Sequence, residues 1–365
     1  MLHPIDRRDF LRGAGAAFLA TLAPRAAEAL ERSETLFASA CDFAGGGLGC
    51  AVFDEHGRIV SRIALPDRGH DVAFDPGSGR AVAFARRPGT FAAVFDPRGG
   101  AVETVIHSQA GRHFFGHGFF SPDGRLLYAT ENEFDTGRGL LGVYDATDGF
   151  RRRGEFDTLG TDPHEALLLA DGVTVAVANG GIETHPDFGR QKLNLATMEP
   201  SLVLIDRRDG RLVERHVLPP ELHQLSIRHL SVDARGAIWF GCQFEGPERE
   251  RPQLVGSVRR GEEMRLVDLP MPELDRLANY VGSVAASADG TYVALASPRG
   301  NRVLVLDGAS GAVVRGFDLA EGCGLAALGE QAAFMATGGG GRFGPLGMAD
   351  PFREDVAWDN HILRF

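Results

Sequence analysis

The sequence predicts an all-β fold, a β-propeller built from four-stranded blades. A pattern of short strands and tight turns repeats along most of the chain, and a repeat of roughly 40–50 residues made of such units is typical of propellers. A histidine stands just upstream of the first strand in several repeats. These four histidines, spaced 47, 47 and 65 residues apart, are His70, His117, His164 and His229.

The repeating unit is clearest between residues 68 and 109. Its strands are rich in β-branched and aromatic residues and are bounded by Gly, Pro and Asp, as half-buried antiparallel strands usually are. Four strands, A to D, are predicted at 71–74, 81–85, 91–95 and 101–107. The same order restarts at positions 117, 164, 229 and 282, which gives five full blades.

The two ends of the repeat region are partial blades. Residues 35–66 match strands B, C and D, and residues 323–365 supply an A strand, a B strand and a last strand at 361–365. If the last strand pairs with residues 35–66, the ring closes and no edge strand stays unpaired. Seven blades follow, or six if the two ends merge into one blade. The variable loop lengths argue against a solenoid.

The first 29 residues resemble an export signal. Arg7 and Arg8 stand in the motif RRDFL of the twin-arginine route, an apolar run follows at 13–23, and small residues at 27–29 suit a cleavage site. The apolar run is too short to cross a membrane. We therefore expect a signal peptide at 1–29, one propeller domain at 30–365, a periplasmic location and no membrane insertion after cleavage.

The charge of the chain excludes some partners. Its formal net charge is −11 at pH 7. An acidic chain without a basic patch argues against nucleic acids and anionic membranes as partners.

Two of the four cysteines, Cys41 and Cys50, flank the predicted hairpin turn 44–47. If residue 43 faces residue 48, then Cys41 faces Cys50, and a disulfide can join them in an oxidising periplasm. The alternative is two buried thiols. None of the cysteines has the C-x-x-C spacing of a metal site or of haem attachment.

The four histidines are the main functional prediction. Equivalent positions of a propeller converge on its axis, so four imidazoles at one level suit a divalent transition metal. The alternative is a structural role within the blades, because Gly69-His70 and Gly116-His117 resemble the Gly-His of WD repeats. Counted back from the A–B turn, two of the histidines also fall one register away from the other two, which would reverse their face in a regular strand.

The long loops are expected on the same face as the histidines. Strand B returns to that face, so its end and the B–C loops neighbour the ring, and long loops on one face of a rigid scaffold usually carry binding sites. The residues expected to complete the metal shell or to hold a substrate are Arg87, Glu131, Glu183, His185 and Lys192.

Several segments carry a resemblance to a known family: RRPGTF at 86–91, DPHE at 162–165, HPD at 185–187 and GRQKLNL at 189–195. They resemble a bacterial family of twin-arginine-exported periplasmic propellers classed as a domain of unknown function. The blades predicted for this chain are WD- or YVTN-like. Members of the family look like products of iron-uptake gene clusters, beside imelysin-type and di-haem peroxidase-like proteins. The resemblance implies a role in metal handling with periplasmic iron-uptake proteins as partners. It implies no established reaction and no site residues.

Three functions are compatible with these features. The first is a periplasmic metal-binding propeller that serves iron or copper acquisition. The second is a metal-dependent enzyme for a small anionic substrate, which Arg87 and Lys192 would hold. The third is a metal-free scaffold for protein interactions. Metal analysis separates the first two from the third, and turnover of a substrate separates the second from the first.

Overall fold

Seven antiparallel sheets form a ring in the computed structural model, which describes residues 35–98, 101–329 and 333–365. The predicted seven-bladed β-propeller is confirmed, and the six-bladed alternative is wrong. The expected signal peptide at 1–29 lies outside the described residues. Within the three described ranges, no helix has the length and apolar character needed to span a membrane.

The strands of blades 1 to 7 follow the order of the chain. Blade 1 contains β1 (Leu36–Phe43), β2 (Gly47–Asp54) and β3 (Ile59–Ala64). Blade 2 contains β4 (Gly69–Asp75), β5 (Arg80–Ala85), β6 (Phe91–Phe95) and β7 (Val102–His107). Blade 3 contains β8 (Arg112–Phe120), β9 (Leu126–Glu133), β10 (Arg138–Asp145) and β11 (Arg151–Asp157). Blade 4 contains β12 (Pro163–Leu168), β13 (Thr174–Asn179), β14 (Ser201–Asp206) and β15 (Leu212–Val217).

The second half of the ring has the same organisation. Blade 5 contains β16 (Leu225–Val232), β17 (Ile238–Phe244), β18 (Val255–Val258) and β19 (Arg265–Leu266). Helix α1 (Met271–Leu277) leads to blade 6, which contains β20 (Ser283–Ala286), β21 (Tyr292–Ser297), β22 (Arg302–Asp307) and β23 (Val313–Asp318). Blade 7 contains β24 (Gly322–Ala327), β25 (Phe334–Gly338), β26 (Arg342–Pro345) and β27 (Phe352–Arg353). Two short strands, β28 (Val356–Trp358) and β29 (Leu363–Arg364), then return to blade 1, and 3-10 turns lie at Pro186–Phe188, Leu195–Thr197 and Pro220–Leu222.

The core lies between neighbouring blades. The two middle strands of a blade are covered on both faces, so β13 and β14 are buried at every position, whereas the outer strand β15 is partly exposed. This explains why the middle strands read as near-continuous apolar runs rather than as strict alternation.

The expected ring closure is confirmed. β28 pairs with β1, where Trp358 lies opposite Cys41, and β29 also pairs with β1, where Arg364 lies opposite Phe37. The sequence prediction for 323–365 was incomplete, because β26 and β27 give blade 7 its own third and fourth strands. These strands are only four and two residues long, which leaves too few positions for a periodic pattern.

A bulge interrupts the innermost strand of several blades. In β4, β12 and β16 one extra residue stands opposite the partner strand, and in β8 two extra residues do so. In blade 1 the interruption is the segment 359–362 between β28 and β29. Such bulges change the direction in which side chains point, and these bulges lie where the strands approach the axis.

Cys41 and Cys50 do not form a disulfide, and both thiols are free and buried. The hairpin register places Phe43 opposite Gly47, so Cys41 faces Gly49 and Cys50 faces Ala40. A shift of one residue turns the two side chains to opposite faces of the sheet. Burial raises the pKa of the Cys41 thiol to about 12.

Candidate metal centre

Five histidines converge at the axis of the propeller. The ring centroids of His70 and His117 are 4.9 Å apart, those of His117 and His164 are 5.3 Å apart, and those of His164 and His229 are 4.8 Å apart. The fifth, His361, lies 4.7 Å from His70, 4.6 Å from His117 and 4.9 Å from His229. The structure therefore brings together the four histidines of the repeat and adds one from the closing segment.

The bulges aim these five side chains at one place. His164 has no residue paired opposite it in the ladder of β12, and His361 lies in the interruption between β28 and β29. The two-residue bulge of β8 shifts His117 relative to the regular strand. This irregularity resolves the register difference seen in the sequence, because His70, His117 and His164 lie within the bulges, and His229 directly follows the bulge residue Arg228.

Carboxylates from neighbouring blades hold two of the rings by hydrogen bonds. Nδ1 of His70 lies 2.7 Å from Asp359, and Nδ1 of His117 lies 3.1 Å from Asp71. Asp359 is also bound by Arg86 at 2.7 Å, and both carboxylates have pKa values below the ordinary range despite their burial. Because an ionised carboxylate only accepts, each Nδ1 donates its proton and leaves the Nε2 lone pair free.

His229 has a similar neighbour at a longer distance. Its Nδ1 lies 3.4 Å from Oε2 of Glu165, an ion-pair distance without a hydrogen bond. Glu165 also accepts the backbone N–H of Leu230 at 3.1 Å. In all three cases the carboxylate comes from the inner strand of the preceding blade.

Buried ring nitrogens without partners face this cluster. Among the residues that the structure describes, none is a hydrogen-bond partner for Nε2 of His117, His229 or His361. Leaving a buried polar atom unsatisfied costs free energy, and such atoms point to an unfilled ligand position.

Two overlapping groups of three histidines have their ring nitrogens within 4.8 Å of one another; they are His70, His117 and His361, and His117, His164 and His229. Two nitrogens bound to one metal at 2.0–2.1 Å lie at most about 4.2 Å apart, so a small inward movement of the rings suffices. A histidine whose second nitrogen donates to a carboxylate is the usual metal-ligand arrangement. The residues at the axis therefore fit a metal ion.

Burial keeps most of the ring neutral. It lowers the pKa of His70 to about 4, although Asp359 acts in the opposite direction. Burial and the neighbouring charges also hold the pKa values of three further rings well below the ordinary value, those of His164, His229 and His361. A neutral imidazole is the form that binds a metal.

His117 differs from the other rings. Burial alone would lower its pKa, but the charges of Glu165 and Asp71 outweigh burial and raise it. Burial raises the pKa of Glu165 to about 7. His117 therefore holds a proton more tightly than the other four rings do, and a metal would compete with that proton.

The two predicted cations lie on the loop-bearing side of the centre. Arg87 binds Asp162 at 3.2 Å, and burial lowers its pKa to about 10 while Asp162 opposes this. Lys192 pairs with Glu245. A pocket lies beside Arg87, between Pro88 and the loop residues His185 and Arg190.

The remaining predicted residues are engaged elsewhere. Glu131 is buried within blade 3, where it accepts from Tyr144 at 2.5 Å and from Arg152 at 3.0 Å. Glu183 is exposed on the β13–β14 loop. The ring nitrogens of His185 contact Asp135 and the backbone N–H of Asp187, both at 3.2 Å, so this side chain caps the 3-10 turn at Pro186–Phe188.

Sequence reasoning missed His361 and the carboxylates. A usable signal existed for two of them, because Asp71 and Glu165 directly follow His70 and His164 as His-Asp and His-Glu dipeptides. His361 stands at the start of the predicted last strand, where a histidine of the repeat pattern would stand.

The fold and the site together define a class of protein: a seven-bladed propeller whose inner strands present five histidines at the axis. The chain belongs to the family described as protein of unknown function (DUF1513), whose family model matches residues 63–365. No curated protein matches the sequence.

Two solved structures are similar to this chain. "Kuenenia stuttgartiensis Hydrazine Synthase" has a TM-score of 0.61 and 15% identity, with 80% of this chain and 86% of that chain covered. BamB from Moraxella catarrhalis has a TM-score of 0.51 and 14% identity, with 89% of this chain and 81% of that chain covered. At such identities the likeness shows the fold alone.

Proposed function

We propose that this protein is a periplasmic metal-binding propeller that takes part in iron or copper acquisition. The observation that carries the proposal is the convergence of unpartnered, buried Nε2 atoms at the axis, with Nδ1 of His70 and His117 held by carboxylates. A structural role for the histidines does not account for these atoms, because a structural histidine is normally hydrogen-bonded when it is buried.

The donor set favours a transition metal. Imidazole nitrogen suits copper, zinc, nickel and iron, whereas Mg²⁺ and Ca²⁺ prefer oxygen ligands. The carboxylates of Asp71 and Asp359 accept hydrogen bonds from histidines. They would orient these rings and raise their basicity as metal ligands. Among the metals that imidazole suits, iron and copper agree with the family resemblance.

Metal analysis of the purified protein tests this function. The full chain, loaded separately with Cu²⁺, Fe²⁺ or Zn²⁺ and freed of excess metal, is expected to retain about one equivalent, because His117 is common to both histidine groups and one ring nitrogen binds one ion. His56→Ala is the control, since the His56 side chain is 59% exposed and stands outside the ring. A parent chain that retains none of the three metals would contradict the proposal.

Export by the twin-arginine route is a separate part of the proposal. It is supported by Arg7-Arg8-Asp9-Phe10-Leu11 and the apolar run that follows. Changing Arg7 and Arg8 to Lys is expected to leave the precursor in the cytoplasm, as detected by fractionation and immunoblotting. The control is Arg12→Lys, which lies outside the arginine pair. Normal amounts of mature double variant in the periplasm would contradict this route.

A metal-dependent enzyme is the second candidate function. The observation that favours it is the pocket lined by Arg87 and Arg190, whose guanidinium groups could hold an anion. A metal held by the axial histidines could act as a Lewis acid on such an anion. Turnover of a small anionic substrate by the metal-loaded protein, lost on removal of the metal, is the result that would favour it.

A further inference from the structure

Arg228 is a buried guanidinium without a carboxylate partner. It is 5% exposed and stands beside His229 at the bulge of β16. Among the described residues, no carboxylate oxygen lies within 4.0 Å of it, and its Nε and Nη1 have no hydrogen-bond partner. An unpaired buried charge is costly, so a guanidinium in this place calls for an anion.

Within the described part of the chain, the guanidinium of Arg228 makes one hydrogen bond, and this bond distinguishes His164 from the other rings. Nη2 of Arg228 lies 3.3 Å from Nδ1 of His164. A guanidinium only donates, so this Nδ1 accepts, and a neutral His164 carries its proton on Nε2. His117 has the opposite arrangement, because its Nδ1 faces Asp71. His164 therefore offers an N–H donor where His117 offers a lone pair.

A second cation without an ion pair lies nearby. Arg190, on the β13–β14 loop, donates to the carbonyl of Arg87 at 3.5 Å, and no carboxylate oxygen of the described residues lies within 4.0 Å of it. The positive charge of Arg190 lies close enough to those of Arg87 and Arg228 to repel them. The carboxylate of Asp162 attracts Arg228, but its ion pair is with Arg87. This side of the centre thus has an excess of positive charge.

We propose that His164, Arg228 and Arg190 form an oxyanion site beside the metal, and that His164 serves this site rather than the metal. The inference rests on the proposed function, since the oxyanion would occupy the open side of the bound ion. The metal ligands are then His70, His117 and His361, with His229 next to them. The ligand class is a small oxyanion such as bicarbonate or phosphate, which the N–H groups of arginine match well.

The test uses the full chain loaded with Co²⁺, whose visible spectrum reports its ligands, and titrations with bicarbonate and with phosphate. Either anion is expected to change the spectrum saturably. Arg228→Met should weaken that response roughly tenfold or more, because charge-assisted hydrogen bonds are lost, while Co²⁺ stays bound. Arg80→Met is the control, since Arg80 pairs with Glu103 at the surface.

The outcomes separate this inference from the proposed function. His164→Gln keeps an N–H donor and is expected to retain Co²⁺; if it loses Co²⁺ as fully as His117→Ala does, His164 is a ligand and the inference is overturned while the function stands. A spectrum that responds to neither anion also overturns it. If the parent binds no Co²⁺, the proposed function fails. The oxyanion site is then judged on the metal-free protein, where phosphate must raise the melting temperature of the parent and not that of Arg228→Met.

A second variant covers the case in which Arg228→Met does not fold. Arg190 is exposed on its loop, so Arg190→Gln should leave the fold intact. It is expected to weaken the anion response several-fold through the loss of one nearby charge, roughly as an exposed ion pair would. An unchanged response in this variant, together with an unfolded Arg228→Met, would assign Arg228 a structural role.

Discussion

Replacing His117 with alanine is expected to abolish metal retention. His117 belongs to both groups of histidines that are spaced for a metal, and its Nε2 is buried without a partner. Since changes to outer partners of metal ligands already weaken binding about 10–100-fold, loss of this ring should weaken it on the order of 100-fold or more. Elemental analysis after gel filtration, followed by competition with a chelator of known affinity, measures the effect.

Two further variants show whether the loss is local. Asp71→Asn keeps the ring of His117 and alters only its hydrogen-bond partner, so its metal affinity should fall roughly 10–100-fold and remain measurable. His56→Ala, outside the ring, should behave as the parent. The thermal unfolding of metal-free His117→Ala should stay cooperative, because Asp71, which loses its hydrogen-bond partner, is 21% exposed and can bind water instead. Full metal retention by His117→Ala would remove the axis as the site.

The second large effect concerns pH. The metal affinity is expected to fall only gently between pH 6.5 and pH 5, by about tenfold per pH unit, the change for the displacement of one proton. The direction and size of this change follow from the pKa values of the histidines. Four of these values are lowered, so the rings concerned are already neutral in this range; they are His70, His164, His229 and His361. Among the five rings, only His117 has a raised pKa and competes with the metal for a proton in this range.

Titration of the parent with metal at several pH values measures this slope. An unstructured hexahistidine peptide is the comparison, because its imidazoles titrate near pH 6.5 and several of them must lose a proton together. Its affinity should therefore fall more steeply than that of the propeller. A slope for the protein that corresponds to three or four protons would show that the rings are not held neutral by burial.

The parts of the fold that depend on repetition could be predicted from sequence. Seven blades and closure by residues 361–365 follow from recurring apolar strands and turns, and both are confirmed. The failures concern single-residue register. A hairpin that pairs Phe43 with Gly47 rather than with residue 48 separates Cys41 from Cys50, and the backbone of the turn, which the sequence pattern does not determine, decides between the two.

In the candidate site, too, the repeat predicts which residues take part, whereas the exact placement of their side chains depends on register. The repeat located His70, His117, His164 and His229, but their common direction depends on bulges of different length. Partners such as Asp359 for His70 are 289 residues away in the chain, and no local pattern reports a contact between blades. Arg228 was missed because a buried arginine in a strand looks like any other arginine in the sequence.

The seam of the ring and the candidate centre share the segment between β28 and β29. Asp359, which orients His70, and His361, which belongs to the cluster, both lie in it, and β29 adds only two residues of pairing to β1. An ion held by rings from blades 1, 2 and 3 would therefore join the two ends of the propeller across a pairing of only two residues. Opening the seam would release the ion. The free energy of ion binding would therefore add to the free energy needed to open the seam. The ion would act as a reversible cross-link, and its removal would loosen the whole circle at one defined point.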